Sequence, residues 1–226
     1  GNLMAELREA KEPFRFHTRL HLTELTGFKA GTLEQLLFLI KKVPGSSIYH
    51  HTHRFLQQHQ YLSPEPPNDF AYWVTEVMGE DELGEKLASI DTIQYHAIRN
   101  LRERIVFTID DHLKKSSSAK LKFSRKDEEF CFMKSVSFIV PTAYIAVNLK
   151  QFAETLEKVT FDSIYFHIFE SRLRLERSSN DFSNWIENSL GDKKLANDIS
   201  RFDPYTQTLE NLKKILIRIV KKRIEE

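Results

Sequence analysis

The sequence predicts a mainly α-helical protein with a minor β element, built as two tandem pseudo-symmetric repeats of one strand plus about four helices, packed into one body. Two observations carry this prediction. The first is recurrence: Phe14-x-Phe16 and Ser47-Ile48-Tyr49-His50-His51 return 116 positions later as Phe130-x-Phe132 and Ser163-Ile164-Tyr165-Phe166-His167. Asn68-Asp69-Phe70-x-x-Trp73 returns as Asn180-Asp181-Phe182-x-x-Trp185, and Gly79 and Asp91 return as Gly191 and Asp203, all 112 positions later. A deletion in the loop from Ser63 to Pro67, replaced by the shorter stretch from Arg177 to Ser179, accounts for the change of spacing. Agreement across separate motifs points to an internal duplication. The second observation is that only one stretch per copy alternates with period two, whereas the rest carries helix signals. The first repeat is assigned to 13–113, a linker to 114–129 and the second repeat to 130–224.

Taken in order, Phe14, Phe16, Leu20 and Leu22 form the first strand, and Phe130, Phe132, Val136 and Phe138 the second, with breaks in the alternation at Thr18 and Lys134. A lone strand is unstable, so the two are expected to pair with each other. Thr32-Leu-Glu-Gln35 has the pattern of a capping box and opens a helix to about Val43. Ser46 or Ser47 is expected to cap the next helix. Asn68 or Asp69 opens a third that stops at Gly79, a residue suited to the left-handed turn after a helix, and its twin runs to Gly191. A short helix holds Leu83 and Leu87. Asp91 is expected to start a long one, matched by Asp203-Pro204 in the second copy.

Composition narrows the function. The chain has 226 residues, 41% of them hydrophobic, enough for one large core or two small ones. Its 33 Lys and Arg against 32 Asp and Glu create no overall field, so nucleic acid is not an expected partner. The longest apolar run, Leu36 to Ile40, is far too short to span a membrane, and no leader-like segment opens the sequence. The single cysteine, Cys131, has no internal disulfide partner, and a reducing cytoplasm is the expected location. No phosphate-cradling glycine loop, paired-cysteine motif or nucleophile elbow is present. The C-terminal helix puts Lys213, Lys214, Arg218, Lys221 and Lys222 mostly off its apolar stripe. That pattern, like Arg99, Arg102 and Arg104, is expected to be a solvated face.

The chain resembles a family of bacterial and archaeal proteins defined as a domain of unknown function. The resemblance rests on LTELTGFKA (Leu22 to Ala30), SSIYHHTHRFLQQHQYLSPEPPNDFAYWV (Ser46 to Val74), LGEKLASIDT (Leu83 to Thr92), SIYFHIFESRLRL (Ser163 to Leu175), NDFSNW (Asn180 to Trp185) and DPYTQTLE (Asp203 to Glu210). It covers nearly the whole chain and implies no activity, cofactor or site residue.

The recurrence also sorts the candidate residues. Polar positions held in both copies are expected to serve the common fold: Tyr49, His51, Asp69 and Trp73, repeated as Tyr165, His167, Asp181 and Trp185. The competing reading is an acid/base pair in which Asp69 orients His51. Polar positions held in one copy are free to bind something. His50 and His53 stand where the second copy has Phe166 and Phe169, and Glu24 and Lys29 where it has Val140 and Ile145. With helical spacing, the apolar stripe passes through Ile48, Thr52, Phe55 and Leu56. His50 and Gln57 then lie opposite it and His53 at its margin. Glu24 and Lys29 form either an exposed ion pair or, with His50 and His53, a polar cleft. No cofactor is expected. A metal held by His50, His53 and Glu24 remains the alternative for this face. The leading expectation is a non-enzymatic cytoplasmic interaction or regulatory module that recognises a protein or small molecule through Glu24, Lys29, His50 and His53. The alternative is a metal-dependent or acid/base enzyme using the same residues. Neither the partner's identity nor the oligomeric state follows from the sequence.

Overall fold

Strand β1 (Phe14–Ala30) and strand β2 (Phe130–Ala146) pair as a two-stranded antiparallel sheet. The computed structural model describes residues 8–59, 67–176, 178–202 and 208–226. Both strands run past the predicted alternation, β1 beyond Leu22 and β2 beyond Phe138. In those extensions Leu25, Phe28, Ile139 and Ile145 are exposed, so no buried stripe marks the strand in the sequence. Gly27 sits in the left-handed region at φ 82°, a conformation that glycine adopts without steric cost.

The described residues form two compact units, and each unit mixes the two repeats. One contains the start of β1, through Leu20, with the end of β2 and the helices that follow it. The other contains the end of β1 from His21, the start of β2 through Ser137, and the helices between the strands. Each set of helices is therefore completed by the first half of the other repeat's strand. In the first unit the Thr142 hydroxyl donates to the Phe16 carbonyl, 2.8 Å away, and in the second the Thr26 hydroxyl donates to that of Phe132, at 2.7 Å. The same bond recurs at matching positions.

The helices recur in the same way. Helix α1 (Leu33–Lys42) matches a later helix, Leu149–Lys158, with Thr32 and Asn148 as their N-caps. Gln35 does not complete the predicted capping box, because its side chain accepts the Gly31 N–H. Helix α2 (Gly45–Tyr49) begins after Pro44 and not at a serine cap, since Ser47 is buried and its hydroxyl donates to Met133 O. A π-helical turn, His50–Arg54, and helix α3 (Phe55–His59) continue it. The second-repeat counterparts are Phe161–Tyr165, the π-turn Phe166–Glu170 and Ser171–Leu175. Helix α4 (Asp69–Glu76) starts at the Asn68 cap, and Gly79 follows it at φ 64°. Asn180 caps the twin helix, Asp181–Trp185. A π-turn extends that helix to Leu190, and left-handed Gly191 ends it.

Helix α5 (Asp81–Ala88) contains Leu83 and Leu87, as predicted. Asp91, in contrast, caps only a short 3-10 turn, Thr92–Gln94; the long helix α6 starts at Ile98 and runs to Lys115. Between it and β2 lie two further 3-10 turns, Ser118–Leu121 and Lys126–Glu128. The Asp203-Pro204 start and, apart from Pro67, the proline-rich loop lie outside the described residues.

Arg102 is half-buried and does more than face solvent. Its guanidinium donates to the carbonyls of Ile40, Lys41 and Val43, closing the C-terminus of α1. Lys213, on the C-terminal helix Leu209–Glu225, donates to Glu157 and Val159 at the matching helix end. Both cations satisfy helix-end carbonyls and oppose the negative end of the helix dipole.

In each unit the core is aromatic. Phe14 and Phe16 pack on Phe152, Phe182 and the His167 ring. Phe130 and Phe132 pack on Phe70 and the His51 ring.

Candidate functional site

The His–Asp pairs lie where strand meets helix. His51 Nδ1 is 2.7 Å from Asp69 Oδ2, and its Nε2 accepts the Met133 backbone N–H at 3.0 Å. His167 Nδ1 is 2.8 Å from Asp181 Oδ2, and its Nε2 accepts the His17 N–H at 2.8 Å. An imidazole nitrogen that accepts an N–H carries no proton, so each ring is the neutral tautomer with Nδ1–H directed at its carboxylate. Burial holds the His167 pKa below its ordinary value, against the opposing pull of Asp181. Around each pair the contacts repeat. Ser47 and Ser163 donate to Met133 O and His17 O, and the Trp73 and Trp185 indoles donate to Glu128 O and Glu12 O, at 2.8 and 2.7 Å. The helices thus grip the incoming strand through backbone atoms.

Of the four residues expected to form one polar face, Glu24, Lys29 and His50 keep access to solvent and His53 does not. Glu24 and Lys29 are exposed on β1, and Glu24 pairs with Lys134 at 3.4 Å. His50 is half-buried, with Nδ1 2.8 Å from Ser135 Oγ. Burial pushes its pKa down to about 4, helped by Arg54 and opposed by Asp69. Gln57 is 4% exposed and does not occupy the solvent face that helical spacing assigned to it, and His53, assigned to the margin of the apolar stripe, is 1% exposed. His53 lies within the π-turn and Gln57 just after it, where the wider spiral departs from 100° per residue. His53 stacks on Tyr49, which stacks on His21. Among the described residues no group of three His, Cys, Asp or Glu is placed to hold a metal ion, so Glu24, His50 and His53 do not converge as ligands.

A different polar site lies in the unit built on the second-repeat helices. A cleft of about 370 Å³ opens beside the His167–Asp181 pair. Arg15, His17, Arg174 and Asn184 contribute its polar wall, and Phe14, Phe166, Ile139 and Leu175 its apolar one. Arg174 pairs with Asp181 and lies 5.0 Å over the Phe166 ring. His17 donates from Nδ1 to the Arg15 carbonyl, 2.9 Å away. Sequence comparison of the repeats weighed the segments around Glu24 and His50 and passed over this one. Part of the contrast was readable: Arg15 and His17 match Cys131 and Met133, whereas Arg174 and Asn184 match the uncharged Gln58 and Tyr72.

Comparison with known proteins places the fold. The structure of OrfY from Thermoproteus tenax superposes with a TM-score of 0.80 at 26% identity, covering 95% of this chain and 97% of that one. No curated protein matches. None of the described helices is long and apolar enough to cross a membrane. The model of a family of unknown function, DUF5752, matches residues 11–221, and the chain belongs to that family.

Proposed function

We propose that the protein is a non-enzymatic interaction or regulatory module that meets its partner through Glu24, Lys29 and His50. The observation that most supports this reading is the engagement of both ring nitrogens in each His–Asp pair. A general acid or base needs a nitrogen directed at its substrate, and these are directed at a carboxylate and a backbone amide. His50 fits the same reading, since a base with a pKa of about 4 is weak near neutral pH. Burial removes His53 from the face. The repeated contacts support descent from a duplicated ancestor with repeats at 13–113 and 130–224, and the free thiol of Cys131 fits a cytoplasmic location.

Photo-crosslinking from position 24 or 29 in cells identifies the partner, which is then purified and titrated. Glu24→Lys combined with Lys29→Glu should weaken binding at least tenfold while leaving the unfolding midpoint unchanged. Equal affinity for wild type and variant would sink the reading, as would chemical conversion of the bound molecule.

A further inference from the structure

We infer that the cleft beside His167 binds a small oxyanion, a carboxylate or phosphate group carried on an apolar or aromatic body. This goes beyond the reading above, which concerns residues of the other unit. Arg15 and Arg174 bring two positive charges to the cleft and Asp181 one negative charge, which leaves a net positive charge before His17 is counted. Among the described residues Arg15 forms no ion pair, and it is exposed at the start of β1. Arg174 is held in place by Asp181 and Phe166, which use only part of its donor set. A guanidinium presents five N–H donors in a planar fork that matches the two oxygens of a carboxylate or phosphate. Fixing one such fork in advance lowers the ordering cost of binding.

The opposite wall fits the rest of the ligand. Phe166, Ile139 and Leu175 present apolar surface, and the volume falls within the range of small-molecule sites. Comparison of the repeats argues that these charges are not needed to build the fold. The His–Asp pair, the serine and the indole contacts occur in both units, whereas the matching positions for Arg15, His17, Arg174 and Asn184 hold Cys131, Met133, Gln58 and Tyr72. The same framework thus stands without the cations.

The test is isothermal titration of the full chain at low ionic strength with phenyl phosphate, benzoate and inorganic phosphate, with potassium chloride as the ionic-strength control. Saturable one-site binding of phenyl phosphate or benzoate, tighter than inorganic phosphate, is expected, and the better of the two identifies the head group. Arg15→Gln should weaken it about tenfold without altering the unfolding midpoint, and Arg174→Gln should weaken it further. Lys120→Gln, exposed in the other unit, should bind as wild type does. Absence of saturation by either aromatic probe overturns the inference, and so does an Arg15→Gln variant that binds as tightly as wild type. Because Arg15 is exposed, that variant carries the test even if Arg174→Gln folds poorly.

Discussion

The backbone N–H of His17 lies 2.8 Å from Nε2 of His167, a residue 150 positions later in the chain. The bond recurs between Met133 and His51, 82 positions apart. In both, a buried imidazole bridges an incoming strand to a carboxylate at a helix start. Replacing His167 or His51 with leucine removes the bridge and leaves a strand N–H and a carboxylate without it. Each substitution should cost about 2–4 kcal/mol, read from urea unfolding. Asparagine, which is polar but shorter, should recover part of that loss. A loss below about 0.5 kcal/mol for both leucine variants would mean that the strand is held by its phenylalanines alone.

Stability should fall with acid in a window set by histidine. An unfolded His50 titrates near 6.5, and the folded one only at about 4. Between those values the unfolded chain binds more protons, so stability is fully present above pH 6.5 and declines as the pH drops toward 4. His167, whose pKa burial also lowers, acts in the same direction. The unfolding midpoint of the wild type should therefore decrease between pH 6.5 and 5, where most carboxylates remain ionised. His50→Gln should flatten that decrease, and an unchanged slope would reject the assignment.

Arg102 and Lys213 should contribute more stability than their charged neighbours. Arg102→Ala and Lys213→Ala each uncover helix-end carbonyls that water can partly satisfy, which should cost about 1 kcal/mol. Exposed Arg99→Ala should change stability by less than about 0.5 kcal/mol. Thermal denaturation of the three variants side by side decides the matter.

Gly84 is needed for space. A Cβ there would lie 1.9 Å from Thr75 Oγ1 and 3.2 Å from Thr75 Cβ, across the contact between α4 and α5. Gly84→Ala should destabilise by about 1–3 kcal/mol, the range for overpacking. Adding Thr75→Ala removes the nearer clash and should restore much of the loss. A double-mutant cycle measures this coupling, and simple additivity would contradict it.

Much of this architecture was legible in the sequence because it depends on neighbouring residues. Asn68 and Asn180 announce helix starts through their own side chains, and Gly79 and Gly191 announce stops through a backbone angle that other residues resist. Asp91 misled because a capping carboxylate serves a single 3-10 turn as well as a long helix. His53 misled because it sits inside a π-turn, where the spacing is no longer 100° per residue, and an i→i+5 bond leaves no mark in hydrophobic spacing. The pairing of each strand's first half with the helices of the other repeat was not legible. Alternation reports that Phe14 and Phe16 face a core, and it is silent on which core. The cationic cleft follows from that exchange, because Arg15 and His17 reach Arg174 only when β1 packs against the second-repeat helices.

The exchange also sets an order of events during synthesis. The unit with α1 to α6 has all its parts once the start of β2 has left the ribosome. The segment from Phe14 to Leu20 belongs to the other unit and must wait for helices that begin only at Leu149. Until then Phe14 and Phe16 have no core to enter, and a chain halted near residue 137 should hold one folded unit with these two phenylalanines uncovered ahead of it. Limited proteolysis of such a halted chain should cut before His21 and spare the residues of α1.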